Sequence, residues 1–337
     1  MRLEQKRQCP TFASMSTKDR LHPRNRHRGP YNFESLTAFV PELAHHLLPS
    51  PRGGQTLDFS QPAAVKLLNR ALLAHGYGVK DWNFPDDNLC PAVPGRADAI
   101  HKIADLMRNE NFGNIPRGDS ILGLDIGTGA SCIYPILGAV EYGWSFMATD
   151  IAEDSLAAAG QILSANPQLQ GAIRLLAQPK PQSIFHGIFP ADEPVDFTLC
   201  NPPFHASSEE ALAGAQRKRR NLGSTDATLN FSGVSKELIC PGGELGFIRN
   251  MIRESRDFGQ RVFWFTSLVA KQKHLPPLQQ SLRRIGAADV QILPMGTGNK
   301  SSRLLAWTFL DANQRKLWRD GRWAPAKQMP STALESK

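Results

Sequence analysis

The chain has 337 residues and 41% hydrophobic content, enough for one large domain or for a domain with an added lobe. No apolar run approaches the roughly 20 residues of a spanning helix, and the start is polar and basic, so we expect a cytoplasmic protein. The five cysteines form no CxxC pair, which argues against a disulfide framework or a metal site. The net charge of +8 favours a polyanionic partner.

For the first 112 residues, the sequence predicts a flexible tail (1–19) followed by a helical, basic extension that binds the substrate (20–112). Within the extension, residues 20–28, here called the basic segment, alternate arginines with polar residues, a composition suited to phosphates and exposed bases. A solvated basic tail would explain the same composition. The candidate RNA contacts in the basic segment are Arg24, Asn25 and Arg26.

Within the extension, the sequence also predicts helices at 32–39, 42–48 and 97–108, and a further helix that begins with Ser60 as its N-cap. Asp58 and Arg96 each lie at the start of one of these helices, beside rigid turn residues. Either a ligand contact or an ordinary helix cap would account for these two side chains.

From residue 120 the pattern changes to strands and helices in alternation, which predicts right-handed crossovers and a parallel sheet. This α/β domain covers residues 113–311, and residues 312–337 are predicted to form a basic tail with Trp318 and Trp323 as anchors. The strands are predicted at 121–126, 144–149, 172–177, 195–200, 261–269, 290–293 and 304–310.

Residues 125–129 (Asp-Ile-Gly-Thr-Gly), here called the glycine turn, follow the first of these strands. A dinucleotide-binding fingerprint requires a third glycine at position 132, where Cys132 stands. Asp150 ends the next strand and is placed to accept hydrogen bonds from a ribose diol. The alternative is a turn that serves only packing, with a solvated Asp150.

The Asn-Pro-Pro-Phe stretch at residues 201–204, here called the proline corner, follows a buried strand. Two successive prolines cannot extend a central strand, so the chain leaves the sheet as a stiff turn. The Asn201 side-chain oxygen and the Pro202 carbonyl could accept both hydrogens of one planar amine, while Phe204 offers a flat surface for its ring. A plain Asn-Pro-Pro loop is the competing interpretation.

Methyl transfer to a conjugated exocyclic amine needs such an arrangement. The nitrogen is a poor nucleophile, and accepting its two hydrogens draws it toward a reactive, tetrahedral shape. An amine-binding corner beside the glycine turn therefore favours S-adenosylmethionine over NAD as the cofactor.

Three further motifs extend the pattern formed by residues 124–135 and the proline corner: His-Pro-Arg-Asn-Arg at 22–26, Leu-Asp-Phe at 57–59, and Trp307. Together they resemble the family of bacterial ribosomal RNA large subunit methyltransferase F, which makes N6-methyladenine in 23S rRNA. They are also similar to its eukaryotic relative, a methyltransferase-like protein that modifies a spliceosomal small nuclear RNA.

The resemblance implies a class I, Rossmann-like methyltransferase with a seven-stranded, mostly parallel sheet and an N-terminal RNA-binding extension. Asp58 matches a family position near the substrate pocket, where the eukaryotic relative has Asn. The resemblance implies cofactor-binding roles for several residues, to which we add Thr128 and Gly129 of the glycine turn. The full set is Arg96, Asp125, Gly127, Thr128, Gly129, Asp150, Ser183 and Asn201. The implied catalytic residues, which would hold a flipped adenine, are Asn201, Pro202, Pro203 and Phe204.

RNA recognition is expected from the basic segment and from a basic run in the long stretch after the proline corner. The basic run consists of Arg217, Lys218, Arg219 and Arg220. The partner would be 23S rRNA or an assembly intermediate of the large subunit, with a monomer favoured. Guanine-N2 methylation, glutamine methylation on a protein and a catalytically idle RNA-binding module remain alternatives.

Overall fold

The computed structural model describes residues 21–51, 53–189, 193–204, 240–297 and 300–323. The predicted flexible tail and the basic run Arg217, Lys218, Arg219 and Arg220 lie outside the described residues.

Seven strands form the main sheet, in the order β5-β4-β3-β6-β7-β9-β8. Strand β9 is antiparallel to both of its neighbours, and β3 to β7 run parallel. The strands are β3 Leu122–Ile126, β4 Ser145–Asp150, β5 Ile173–Ala177, β6 Val195–Cys200, β7 Val262–Val269, β8 Asp289–Thr297 and β9 Lys300–Thr308. The expected mostly parallel, seven-stranded sheet is confirmed, although β8 and β9 are longer than predicted.

Helices cover both faces of this sheet. The side chains of β4 alternate, so that Phe146 joins one apolar cluster and Met147 the other. The first cluster includes helices of the extension, which therefore shares a core with the α/β domain. The helices are α1 Phe33–Phe39, α2 Pro62–Tyr77, α3 Val93–Glu110, α4 Ile133–Tyr142, α5 Glu153–Ala165, α6 Gly243–Ser255, α7 Leu275–Arg284 and α8 Ala312–Trp318.

The centre of the sheet is packed around a glycine. A Cβ atom added to Gly123 would lie 2.6 Å from ring carbons of both Phe146 and Phe197. These two rings pack edge to face in the space that a larger residue on β3 would occupy.

The start of the extension differs from its prediction. The helix predicted at 42–48 is a 3₁₀ helix, Pro41–His46, followed by strand β1 Leu47–Pro49, which pairs with β2 Gln55–Leu57. The N-cap of α2 is Gln61 and not Ser60, since the helix begins at Pro62, and the Ser60 hydroxyl donates to Asp58 at 2.6 Å. Strands of three residues are too short to show a periodic pattern.

Residues 312–323 of the predicted basic tail form α8 and a π-helical turn, Arg319–Trp323, for which the sequence pattern predicted no helix. The two predicted anchors are confirmed: the indole N–H groups of Trp318 and Trp323 each donate to Oδ1 of Asp196, at 2.7 Å. Asp196 is fully buried at the start of β6, and its Oδ2 accepts from the Leu122 amide and from Arg322. We call this arrangement the Asp196 clamp. No helix in the described part of the chain is long and apolar enough to cross a membrane.

Candidate functional site

The register of the parallel strands brings the predicted site together at one edge of the sheet. Ile126, the last residue of β3, pairs with Thr149 of β4 and with Cys200 of β6. The residues that follow on these strands, Asp150 and Asn201, therefore flank the glycine turn. In open α/β sheets, ligands bind at this carboxyl edge.

The glycine turn has the geometry of a ligand-binding backbone. Gly127 and Gly129 adopt left-handed φ angles of 72° and 63°, which favour glycine. No described atom lies within 4 Å of a Cβ added to either residue, so the space beside the turn is open. The amides of Gly127 and Thr128 both donate to the Thr149 carbonyl at 2.9 Å, which fixes the turn against β4.

Asp150 fixes the other end of the turn. One of its carboxylate oxygens accepts from the Gly129 amide at 2.8 Å, and the other accepts from the Ala152 amide at 3.0 Å. The residue is buried, which excludes the solvated Asp150 of the competing interpretation. Each oxygen keeps one lone pair for a further donor, so the predicted ribose contact stays a prediction.

Asp125 is the most unusual group at this edge. It is buried, and neither carboxylate oxygen makes a well-formed hydrogen bond within the described part of the chain. Burial, with a contribution from the Asp150 carboxylate, raises the pKa of Asp125 to about 7. The Thr128 side chain, which partly offsets this rise in pKa, is uncharged, and a buried carboxylate is costly unless a cation binds it. Asp125 therefore fits the ammonium group of a methionine-type cofactor.

Arg96 reaches the same region from the start of α3. Its Nη1 donates to the Tyr134 hydroxyl at 3.0 Å, and its positive charge partly offsets the rise in the Asp125 pKa. Burial raises the pKa of Tyr134 to about 12, so this hydroxyl stays neutral. Arg96 is thus a cation beside the glycine turn, and its predicted contact with a cofactor stays a prediction.

Ser183 lies in the segment after β5. This segment begins beside the site, because the Gln178 amide donates to the Asp150 carbonyl at 2.8 Å. The Glu254 carboxylate fixes this segment, because it accepts hydrogen bonds from the amides of Ile184 and Phe185. A contact between Ser183 and a cofactor stays a prediction.

The proline corner lies next to the glycine turn and is accessible. Asn201, Pro203 and Phe204 are partly exposed, while Pro202 is buried. The asparagine is therefore not locked in the protein interior. The roles of these four residues in binding an amine and a base stay predictions.

The predicted RNA contacts in the basic segment lie elsewhere. Asn25 is buried and donates to the Pro94 carbonyl at 2.8 Å, which contradicts its predicted contact with RNA. Arg24 pairs with Asp105 at 2.9 Å, and Arg26 forms two hydrogen bonds with Glu141, in the last turn of α4. Helix α4 starts at Ile133, shortly after the glycine turn, so Glu141 lies about 12 Å further along the helix axis. A role for the partly exposed Arg24 and Arg26 on RNA stays a prediction.

Asp58 has a local structural role. Its carboxylate accepts from both the amide and the hydroxyl of Ser60, and these bonds lower the pKa of Asp58. The neighbouring Phe59 ring is 57% exposed. The predicted substrate contact of Asp58 stays a prediction.

Among the described residues, no cluster of His, Cys, Asp or Glu could hold a metal ion.

Sequence reasoning missed two residues at this edge, Tyr134 and Ile151. Tyr134 is the partner of Arg96, and Ile151 directly follows Asp150 with 63% of its surface exposed. An exposed apolar residue directly after a strand-ending acid was the signal for Ile151, because apolar side chains line most ligand sites.

Comparisons with known proteins agree with this geometry. A family described as RNA methyltransferase matches residues 15–311. Ribosomal RNA large subunit methyltransferase F of Pseudomonas aeruginosa is 51% identical over 315 residues, which cover 92% of this chain and 94% of the relative. The protein of the same name from Cronobacter sakazakii is 52% identical over 309 residues, 91% of this chain and 99% of the relative.

Solved structures are similar over the same region. The catalytic domain of hMettl16 in complex with MAT2A 3′UTR hairpin 1 has a TM-score of 0.74 and 31% identity, covering 86% of this chain and 96% of that one. The N-terminal domain of human METTL16 in complex with SAH has a TM-score of 0.68 and 28% identity, covering 86% and 99%. These comparisons confirm the resemblance inferred from the motifs and the expected class I fold.

Proposed function

Because the chain belongs to the RNA methyltransferase family and uses S-adenosylmethionine as its methyl donor, we propose that it methylates the N6 amine of an adenine in 23S rRNA. The proline corner would receive the flipped base. The observation that carries the proposal is the register of β3 and β6, which sets Asn201 beside the glycine turn.

The proline corner supplies the chemistry by position and hydrogen bonding. Asn201 Oδ1 and the Pro202 carbonyl accept the two amine hydrogens and stabilise the positive charge that develops on nitrogen. When bound, S-adenosylmethionine supplies an electrophilic methyl group on a sulfonium. Alignment of the amine with that group can lower the barrier by roughly 7–11 kcal/mol, so that no strong base is required and the proton leaves to water.

The cofactor would be held by the glycine turn and the charged residues around it. Asp125 would bind the ammonium group and Arg96 the carboxylate of the methionine part, while Asp150 would bind the ribose. The burial of the Asp125 carboxylate, with only the Thr128 hydroxyl close to it, supports this assignment. Ser183 and the backbone at Gly127 complete the proposed cofactor contacts.

The RNA would be gripped outside the proline corner. Extrusion of a base costs a few kcal/mol, least for an unpaired base, and stacking on Phe204 returns about 1–3 kcal/mol. A looped or single-stranded target is therefore favoured. Replacing the basic run 217–220 by Ser and Gly should reduce the salt dependence of RNA binding by about 0.7 log unit per lost phosphate contact. An unchanged slope would exclude the basic run from the interface.

One labelling experiment separates the candidate activities. The protein is incubated with labelled S-adenosylmethionine and ribosomal RNA, and the RNA is digested to nucleosides. Label in N6-methyladenosine supports the proposal, and label in N2-methylguanosine supports the guanine rival. In a parallel reaction with added ribosomal proteins, label in glutamine supports the protein rival. Tight RNA binding with no transfer would identify an idle module.

The mechanism is tested at Asn201. Asn201→Ala should abolish turnover but leave part of the affinity for S-adenosylhomocysteine, because the cofactor contacts of the glycine turn remain. Asn313→Ala, which removes the same group from an exposed position in α8, is the matched control and should be fully active. Full activity of Asn201→Ala would rule out the amine-binding mechanism.

A further inference from the structure

The junction between the glycine turn and α4 has a strained backbone. Cys132, the N-cap of α4, has φ 48° and ψ 33° in the left-handed region, and its side chain is fully buried. An L-residue other than glycine adopts this conformation only where its surroundings hold it there. In the described part of the chain, Phe112 is the other non-glycine residue with positive φ.

Both sides of the Ser131–Cys132 peptide unit are held. The Ser131 carbonyl accepts from the indole Nε1–H of Trp82 at 2.8 Å, and the Cys132 amide donates to the Gly129 carbonyl at 3.4 Å. Because a peptide unit is planar, fixing its carbonyl also fixes its N–H. The Gly129 amide in turn donates to Asp150, so one series of hydrogen bonds joins Trp82 to the end of the glycine turn and to Asp150.

Trp82 belongs to the extension but is fixed to the α/β domain. Asn166, at the end of α5, accepts from the Lys80 amide at 3.0 Å and donates to the Asp81 carbonyl at 2.6 Å. Trp82 itself is fully buried, with the Phe84 ring packed edge-on at 4.9 Å. The indole is therefore a rigid donor aimed at the turn.

We propose that Trp82 is a positioning residue for cofactor binding: its indole N–H holds the Ser131–Cys132 peptide in the orientation that keeps the glycine turn open to S-adenosylmethionine. The extension would then contribute to the cofactor pocket as well as to RNA binding. The inference depends on cofactor use and is independent of which base is methylated.

The test compares two tryptophans in the full-length chain. Trp82→Phe removes the donor and keeps a ring. Trp144→Phe is the matched control, since Trp144 is also fully buried and also donates to a backbone carbonyl, that of Pro116, at 2.9 Å. Calorimetry should show an S-adenosylhomocysteine Kd about 10-fold higher for Trp82→Phe, the effect of losing one buried hydrogen bond. The Kd of Trp144→Phe should change less than about 2-fold, with a similar fall in Tm.

Kinetics add a second measurement. For Trp82→Phe, KM for S-adenosylmethionine should rise while kcat at saturation and KM for RNA stay within about 2-fold. An unchanged Kd for Trp82→Phe, or equal weakening in both variants that follows the loss of Tm, overturns the proposal. If Trp82→Phe does not fold, Asn166→Ala, which releases the segment that carries the indole, should raise the Kd in the same way. An unaltered Kd for that variant overturns it too.

Discussion

Asp125→Asn should stabilise the free protein at alkaline pH while weakening cofactor binding. Asparagine keeps the shape of the side chain but cannot ionise. Burial raises the pKa of Asp125 from 3.8 to about 7, a rise of about three pH units. At about 1.4 kcal/mol per unit, ionising the folded protein costs up to about 4 kcal/mol.

The sign of the pH dependence follows from the direction of this rise. Since the pKa in the folded state is above that in the unfolded state, the contribution of protonated Asp125 is complete below about pH 4 and is lost as the pH rises through about 7. The advantage of Asp125→Asn should therefore grow from near zero at pH 4 to about 4 kcal/mol at pH 8. For 337 residues this corresponds to a Tm increase of about 5 °C.

The assay combines thermal unfolding across this pH range with calorimetric titration of S-adenosylhomocysteine. The parent should release a proton on binding near pH 6.5, because the bound ammonium group lowers the pKa of Asp125. The variant should release none and should bind at least about 30-fold more weakly, the loss of about 2 kcal/mol from a broken buried charge pair. The exposed Asp119→Asn is the control and should match the parent throughout.

Two results would refute this reasoning. One is a Tm difference between Asp125→Asn and the parent that is the same at pH 5 and pH 8. The other is binding by the parent without proton release, measured in buffers of different ionisation enthalpy.

Three further substitutions test the packing and the N-terminal contacts. Asp196→Ala should lower the free energy of unfolding measured in urea by about 3–5 kcal/mol, because two indoles and a guanidinium lose their buried acceptor. A loss below about 1 kcal/mol would contradict a stabilising role for the Asp196 clamp. Gly123→Ala should lower the free energy of unfolding by about 1–3 kcal/mol, because the added methyl group overpacks the core. Gly160→Ala in α5, whose Cβ would lie 3.6 Å from Leu175, should be neutral or stabilising. Equal unfolding midpoints for the two variants would refute this expectation. Asn25→Ala should lower Tm and leave the salt slope of RNA binding unchanged, and a shallower slope would restore its predicted RNA contact.

The parts of the fold with a long periodic pattern were predictable from the sequence. Strand β6 has the predicted bounds, and the alternation of strands and helices was enough to put Asp150 and Asn201 on one edge of a parallel sheet. The edge could be predicted because strand direction alone decides which residues meet there.

Other features depend on contacts that a pattern does not encode. Helix α8 buries none of its own residues, so no apolar stripe marks it, although its capping box, Asp311 with Gln314, was a usable signal. The arginines of the basic segment were predicted to bind phosphates, but Arg24 and Arg26 pair with carboxylates of α3 and α4. Arginine binds both groups with the same geometry, so composition cannot distinguish them.

The Asp196 clamp also sets an order of events during biosynthesis. Trp323 follows Asp196 by 127 residues, so the ribosome makes the acid long before the donors that neutralise it. At about 5–20 residues per second the delay is roughly 6–25 s. Until then the nascent strand carries an acid that is costly to remove from water, so we expect β6 to be fully buried only after residues 318–323 have been made.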